Sequence, residues 1–172
     1  YAMACHSTSC WGSFVEGPVR TISTRRLDNY GDRMGASLLR HTIIANFPDE
    51  GPSFINVGWP GTILVGTGLN QYGTQVSINS YFHGSDTPLN GSMLRATAAR
   101  YLLVEWATGS PDDLDNAYAM LQDYDCFTPA FINYYAVEGN GGVITASRDQ
   151  GFYDLRKPQP AYFGGEVLIT TN

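Results

Sequence analysis

Apolar and polar positions alternate with a period of two along much of this chain, the pattern of strands whose two faces differ. The clearest case is the run 73–81, where Thr74, Val76 and Ile78 stand against Gln75, Ser77 and Asn79. That run predicts a strand with one buried and one polar face. Runs of β-branched and aromatic residues predict further strands at 38–47, 53–57, 62–66, 131–137, 143–147, 152–155 and 167–171. Two stretches change to a helical period. In 91–107, Leu94, Ala98, Tyr101, Leu102 and Glu105 recur at helical spacing, and Thr108-Gly109 ends the run. A second helix starts at Ser110, with Pro111 in its first turn and Asp112 and Asp113 near the positive end of its dipole. Leu114, Ala117, Tyr118 and Leu121 line one side of it. Strands, then two helices, then strands is an α+β order. No internal repeat, low-complexity segment or boundary divides residues 1–172, so one domain is expected.

The opening of the chain reads as a hairpin. Its outgoing arm runs from Cys5 to Val15, Glu16-Gly17-Pro18 punctuates it, and Val19 to Asp28 returns through Val19, Thr21, Ile22 and Thr24. Nearly equal arms bring Cys5 opposite Arg25-Arg26-Leu27-Asp28. A thiol facing a cation and a carboxylate is a candidate nucleophile, because a positive neighbour favours the thiolate. Cys10 is the rival thiol, but its arm to Gly17 is too short to face Asp28 across a regular hairpin.

Composition narrows the chemistry. The formal net charge of −6 leaves no basic stripe for nucleic acid. No apolar run approaches the length of a membrane span, and no secretory signal opens the chain. Three cysteines are an odd number for a disulfide framework, so at least one thiol is expected to be free. His6 between Cys5 and Cys10 has no partner pair elsewhere, so neither zinc nor any cofactor is expected. These features fix no compartment, and an extracytoplasmic one stays open.

Four stretches together resemble the N-terminal-nucleophile (Ntn) hydrolases that act on linear amides. That family includes isopenicillin-N acyltransferase-like peptidases, choloylglycine and penicillin V acylases, and acid ceramidase. The first stretch is the Cys-led strand with Trp11-Gly12 and a return strand ending Arg25-Arg26-Leu27-Asp28, similar to the family's Arg-Asn-Leu-Asp. The second runs Gly66-Thr67-Gly68-Leu69-Asn70-Gln71-Tyr72-Gly73 after Trp59-Pro60-Gly61, and resembles a Gly-Met-Asn-x-x-Gly turn. The third is Thr170-Thr171-Asn172, and the fourth is the helix pair from Gly91 to Leu121, assigned to the core.

The resemblance implies an αββα sandwich of two stacked antiparallel sheets between helical layers. This chain would be its N-terminal portion, with a second polypeptide as one source of the rest. It implies a cysteine amidohydrolase or acyltransferase that takes a small acyl-amide or acyl-thioester through an acyl-enzyme. In that scheme Cys5 attacks, Arg25 lies against its sulfur, Asp28 accepts hydrogen bonds near its amine, and Asn70 and Asn172 hold the oxyanion. The base is the α-amine of Cys5, which requires autoproteolytic removal of Tyr1-Ala2-Met3-Ala4. Two other readings stay open: a catalytically silent Ntn-fold binding module, and a secreted binding domain built on disulfides.

Overall fold

The structure is a computed structural model describing residues 5–15, 21–26, 42–58, 60–61, 64–80, 92–136, 140–161 and 163–171. Ten strands form two antiparallel sheets among these residues. The smaller sheet holds β1 (His6–Trp11), β2 (Thr21–Arg26) and β10 (Val167–Thr171) in the order β10-β1-β2. The larger is a seven-stranded meander, β3 (Thr42–Asn46), β4 (Phe54–Gly58), β5 (Thr67–Asn70), β6 (Gln75–Ser80), β7 (Ala130–Tyr135), β8 (Gly141–Ser147) and β9 (Gly151–Arg156). Neighbours in sequence are neighbours in that sheet, as short connections favour. The helical insertion between β6 and β7 is the one long detour within it.

That insertion packs on the face of the large sheet turned away from the small one. It comprises α1 (Arg95–Arg100), a π-helical turn (Tyr101–Glu105) and α2 (Asp113–Leu121). Leu102, Leu103, Leu114, Ala117 and Leu121 pack there against Val76, Ile78, Ile132, Tyr134 and Ile144. Gly68 lets the π turn approach: a Cβ on it would sit 2.5 Å from Leu103 Cδ2 and 3.1 Å from the Ile55 carbonyl. The core is thus concentrated between one sheet and its helical layer.

Several expected elements shift for physical reasons. The helix expected over 91–107 begins only at Arg95, because Met93 is held extended: its N–H bonds the Asp125 carbonyl and its own carbonyl accepts from Phe127. It then widens, with the Trp106 N–H bonding the Tyr101 carbonyl five residues back. The second helix begins at Asp113 rather than Ser110, since the Asp113 carboxylate turns back to accept from the Thr108 and Gly109 N–H groups, both at 2.8 Å. Residues 64–66 of the strand expected over 62–66 are not in a strand; β5 begins at Thr67, inside the segment read as a Gly-rich turn. The outgoing hairpin arm ends at Trp11, and a 3₁₀ turn (Gly12–Phe14) follows, its Ser13 N–H bonded to Glu166. The expected turn at Glu16-Gly17-Pro18 lies outside the described residues.

The alternation over 73–81 is correct in period, but both faces are buried. Val76 and Ile78 meet the helices, while Ser77 and Asn79 are 1% and 0% exposed beneath the small sheet. The layer between the sheets is graded along β1. Near Trp11 it is apolar, with Tyr135, Val143 and Leu168; toward Cys5 it becomes Ser9, then Ser7 against Ser77, Asn79 and Asn133.

Two predictions follow from this packing. Leu103→Ala removes a fully buried side chain and is expected to lower unfolding stability by about 2–5 kcal/mol in urea titration; a change under about 0.5 kcal/mol would contradict the layer described. Burial pushes the Tyr134 and Tyr135 phenols up to about 12, with Thr74 and Ser9 partly offsetting it. The fold therefore favours the neutral phenols. Their contribution is intact below pH ~10 and is lost as pH rises toward the folded value. Absorbance titration should show these tyrosines ionising late and together with unfolding, whereas uniform ionisation near pH ~10 in a folded chain would refute their burial.

Candidate active site

β1 places Cys5, Ser7, Ser9 and Trp11 on its inner face, leaving His6, Thr8 and Cys10 half-buried on the other. Cys5 is 3% exposed. The register pairs Ser7 with Arg25 of β2 and with Thr170 of β10, so these three side chains are level across the small sheet. All three turn inward. Cys5 lies on the same face as Ser7, two residues before it and roughly 7 Å along the chain.

Arg25 crosses the gap. Its Nη1 donates to Thr67 Oγ1 at 2.5 Å and to the Gly66 carbonyl at 3.3 Å, and its Nη2 donates to the Ile78 carbonyl. A guanidinium suits this task because it presents several donors in a rigid fork. Burial pulls the Arg25 pKa below its usual value, negative charge on Cys5 raises it, and Arg95 lowers it further. Desolvation is the largest of the three, and Cys5 is the group that opposes it. Cys5 and Arg25 share the inner face of the small sheet, with Arg25 opposite Ser7 and Cys5 two residues before Ser7.

Beside this pair lies a buried polar cluster that the sequence reading did not single out. Ser7 Oγ is 3.2 Å from Asn79 Oδ1 and 3.2 Å from Ser77 Oγ. Asn133 Nδ2 donates to the Ser77 carbonyl at 3.2 Å and to Ser7 Oγ at 3.4 Å. Asn79 Nδ2 donates to the Thr170 carbonyl at 3.4 Å. The signal was present in the polar half of the β6 alternation, where Ser77 and Asn79 stand. It read as a solvent face because a polar face of a strand usually is one.

The expected residues fare differently. Cys5 and Arg25 lie on the same inner face of the small sheet, one alternating position apart. Asn70 is not brought to them: its Nδ2 donates to the Leu103 carbonyl at 2.8 Å, and its Oδ1 accepts from the Tyr72 and Thr74 N–H groups at 3.0 and 2.9 Å. Thr67 faces Arg25, so strand alternation sends Gly68 and Asn70 to the helical face of the sheet. The expected oxyanion donor thus organises the β5–β6 turn, with both ends of its amide used on backbone. Asp28 and Asn172 lie outside the described residues. Cys10 stands on the outer face of β1, away from Arg25, and no disulfide joins Cys5, Cys10 and Cys126 to one another. Among the described residues no cluster of His, Cys, Asp and Glu could hold a metal ion, and no helix is long and apolar enough to cross a membrane.

No protein-family model matches the chain, and no curated protein matches it by sequence. The match comes from structure. The N-acylethanolamine-hydrolyzing acid amidase (NAAA) ortholog of Caenorhabditis elegans superposes with a TM-score of 0.69 at 15% identity, over 98% of this chain and 70% of the nematode one. The fold is that of an Ntn hydrolase. Two antiparallel sheets with a helical layer on the larger one make an incomplete Ntn sandwich, as part of a longer relative would. At this identity the likeness establishes fold and leaves chemistry to the residues themselves.

Asn70→Ala checks the division of labour just described. It strips three bonds from buried backbone and is expected to lower stability by about 1–3 kcal/mol. Alkylation of Cys5 by iodoacetamide, followed by peptide mass mapping, should keep its rate. A rate change at Cys5 with stability intact would return Asn70 to the site.

Proposed function

We propose that this chain is a cysteine-nucleophile Ntn amidohydrolase or acyltransferase acting on a linear amide or thioester. The observation that carries the reading is the burial of Cys5 on the inter-sheet face that Arg25 shares, one alternating position from the Ser7–Arg25 pair, within an Ntn hydrolase fold. Cys5 Sγ attacks the acyl carbonyl, the C–N or C–S bond breaks, and the amine or thiol leaves with a proton. Water then opens the acyl-enzyme to a carboxylic acid; an amine in its place gives a new amide. The α-amine of Cys5, freed by cleavage after Ala4, takes the thiol proton and passes it to the leaving group. Asn79 supplies a carboxamide N–H to the oxyanion, in the place first assigned to Asn70. Asp28 and Asn172 keep the roles the resemblance implies, supporting the amine and the oxyanion.

The structural neighbour's own name describes an amidase that hydrolyses N-acylethanolamines, which supports a linear amide as the substrate class here. The unmatched part of that neighbour supports a further segment or second polypeptide completing the sandwich. With Tyr1–Ala4 still attached, Cys5 has no free amine. That arrangement favours a second reading, a silent Ntn-fold module that binds a small acyl compound.

The test compares Cys5→Ala with Cys10→Ala across a panel of small acyl-amides, with N-terminal sequencing of the active species. Cys5→Ala is expected to abolish turnover, a loss on the order of 10³-fold or more, with Cys10→Ala within about twofold of the parent. An active species beginning at Cys5 supports the free-amine mechanism. Loss of turnover in Cys10→Ala alone would overturn the choice of nucleophile, and a folded chain whose Ala4–Cys5 bond stays intact and that hydrolyses nothing would establish the silent module.

A further inference from the structure

We propose that Asn133 and Ser7 are positioning residues that, together with the Thr170 carbonyl, hold the Asn79 carboxamide in one orientation and so keep an oxyanion donor available to Cys5. This rests on the reading of Cys5 and Asn79 given above. Two backbone carbonyls, which can only accept, orient the cluster. Asn133 Nδ2 lies 3.2 Å from the Ser77 carbonyl, so that end of its amide must be the NH₂ group. The same nitrogen is 3.4 Å from Ser7 Oγ, which must therefore accept from it. At the other end, Asn79 Nδ2 lies 3.4 Å from the Thr170 carbonyl, so Asn79 presents its oxygen to Ser7. The Ser7 proton can go to Asn79 Oδ1 or to Ser77 Oγ, both at 3.2 Å, and since Asn79 Oδ1 can only accept while Ser77 Oγ can also donate, the arrangement that uses every group sends it to Asn79. Ser77 Oγ, 3.2 Å from Ser7 Oγ, completes the set as a donor.

The polarity of the chain is thereby set from end to end: Asn133 donates to Ser7, Ser7 to Asn79, and Asn79 to the Thr170 carbonyl. Without the Ser7 hydroxyl the Asn79 amide keeps only its 3.4 Å bond to the Thr170 carbonyl, and a flipped amide would put a lone pair in place of the N–H offered to the oxyanion. Asn133 itself points the same way. It is 0% exposed, and its Oδ1 meets no donor among the described residues. An apolar side chain there would spare that unsatisfied oxygen but would leave the Ser77 carbonyl and Ser7 Oγ without the NH₂ that both now share.

The test separates a reaction that passes through an oxyanion from one that does not. In acetylation of Cys5 by p-nitrophenyl acetate the Sγ–C bond forms, the C–O bond breaks, p-nitrophenolate leaves with the electron pair, and the thiol proton goes to solvent. Iodoacetamide alkylates the same sulfur by displacing iodide, with no oxyanion. Both rates are measured at Cys5 by peptide mass mapping, on the full chain and on variants that melt cooperatively. Ser7→Ala and Asn133→Ala are each expected to lower the acetylation-to-alkylation ratio about tenfold, with Ser7→Thr, which keeps the hydroxyl, restoring it. Asn79→Ala should lower it at least as far. If Asn79→Ala lowers the ratio and neither Ser7→Ala nor Asn133→Ala does, the positioning role is overturned while the site reading survives. If Asn79→Ala leaves the ratio unchanged, or Cys5 of the parent chain is not acetylated, the site reading falls and this inference with it.

Discussion

Everything at the candidate site depends on one side chain that leaves its own sheet. Arg25 belongs to β2, yet its donors end on Thr67 and Ile78 of the facing sheet and on Gly66 just before β5. Sheets stacked face to face usually meet through interdigitated apolar side chains. Here the apolar contact of Trp11, Tyr135, Val143 and Leu168 occupies only one end of β1. At the other end a guanidinium and a set of small polar side chains replace it. The exchange creates a layer that is dry enough to strengthen charge interactions and polar enough to take part in chemistry.

Such a layer is a stability liability unless its members satisfy one another. Ser7, Ser77, Asn79 and Asn133 bond to each other and to the Ser77 and Thr170 carbonyls, while Asn133 Oδ1, Arg25 Nε and Thr170 Oγ1 meet no partner among the described residues. The stabilising apolar mass lies elsewhere, between the large sheet and its helices, where Leu102, Leu103, Leu114 and Leu121 are each at most 1% exposed. Structure and candidate chemistry are therefore segregated onto opposite faces of the same strands. β6 shows this within six residues: Val76 and Ile78 serve the core, and Ser77 and Asn79 the polar layer.

Much of this was legible in the sequence. The hairpin brought Cys5 to the Arg25 end because equal arms fix register, and the β6 period was evident from strict alternation. Local rules failed where a tertiary partner decided the outcome. Asn70 in a Gly-flanked segment looks like a donor aimed outward, but the Leu103 carbonyl, 33 positions away in sequence, claims its amide. Asn79 looked solvated because nothing in 73–81 reveals that a second sheet covers its polar side. Asp113 at a helix start suggested a dipole contact, whereas its carboxylate is spent on the preceding turn at Thr108 and Gly109. A pattern of period two tells which residues share a face; what lies above that face is written elsewhere in the chain.

The central claim is that the Arg25 guanidinium conditions the Cys5 thiol from across the small sheet. The most direct measurement is the rate of iodoacetamide alkylation at Cys5 and Cys10 in the parent chain, in Arg25→Met and in Arg25→Lys, with folding of each variant checked by cooperative melting. The account predicts slower alkylation at Cys5 in Arg25→Met, partial recovery in Arg25→Lys, and an unchanged rate at Cys10 throughout. An unchanged Cys5 rate in a folded Arg25→Met chain would contradict it.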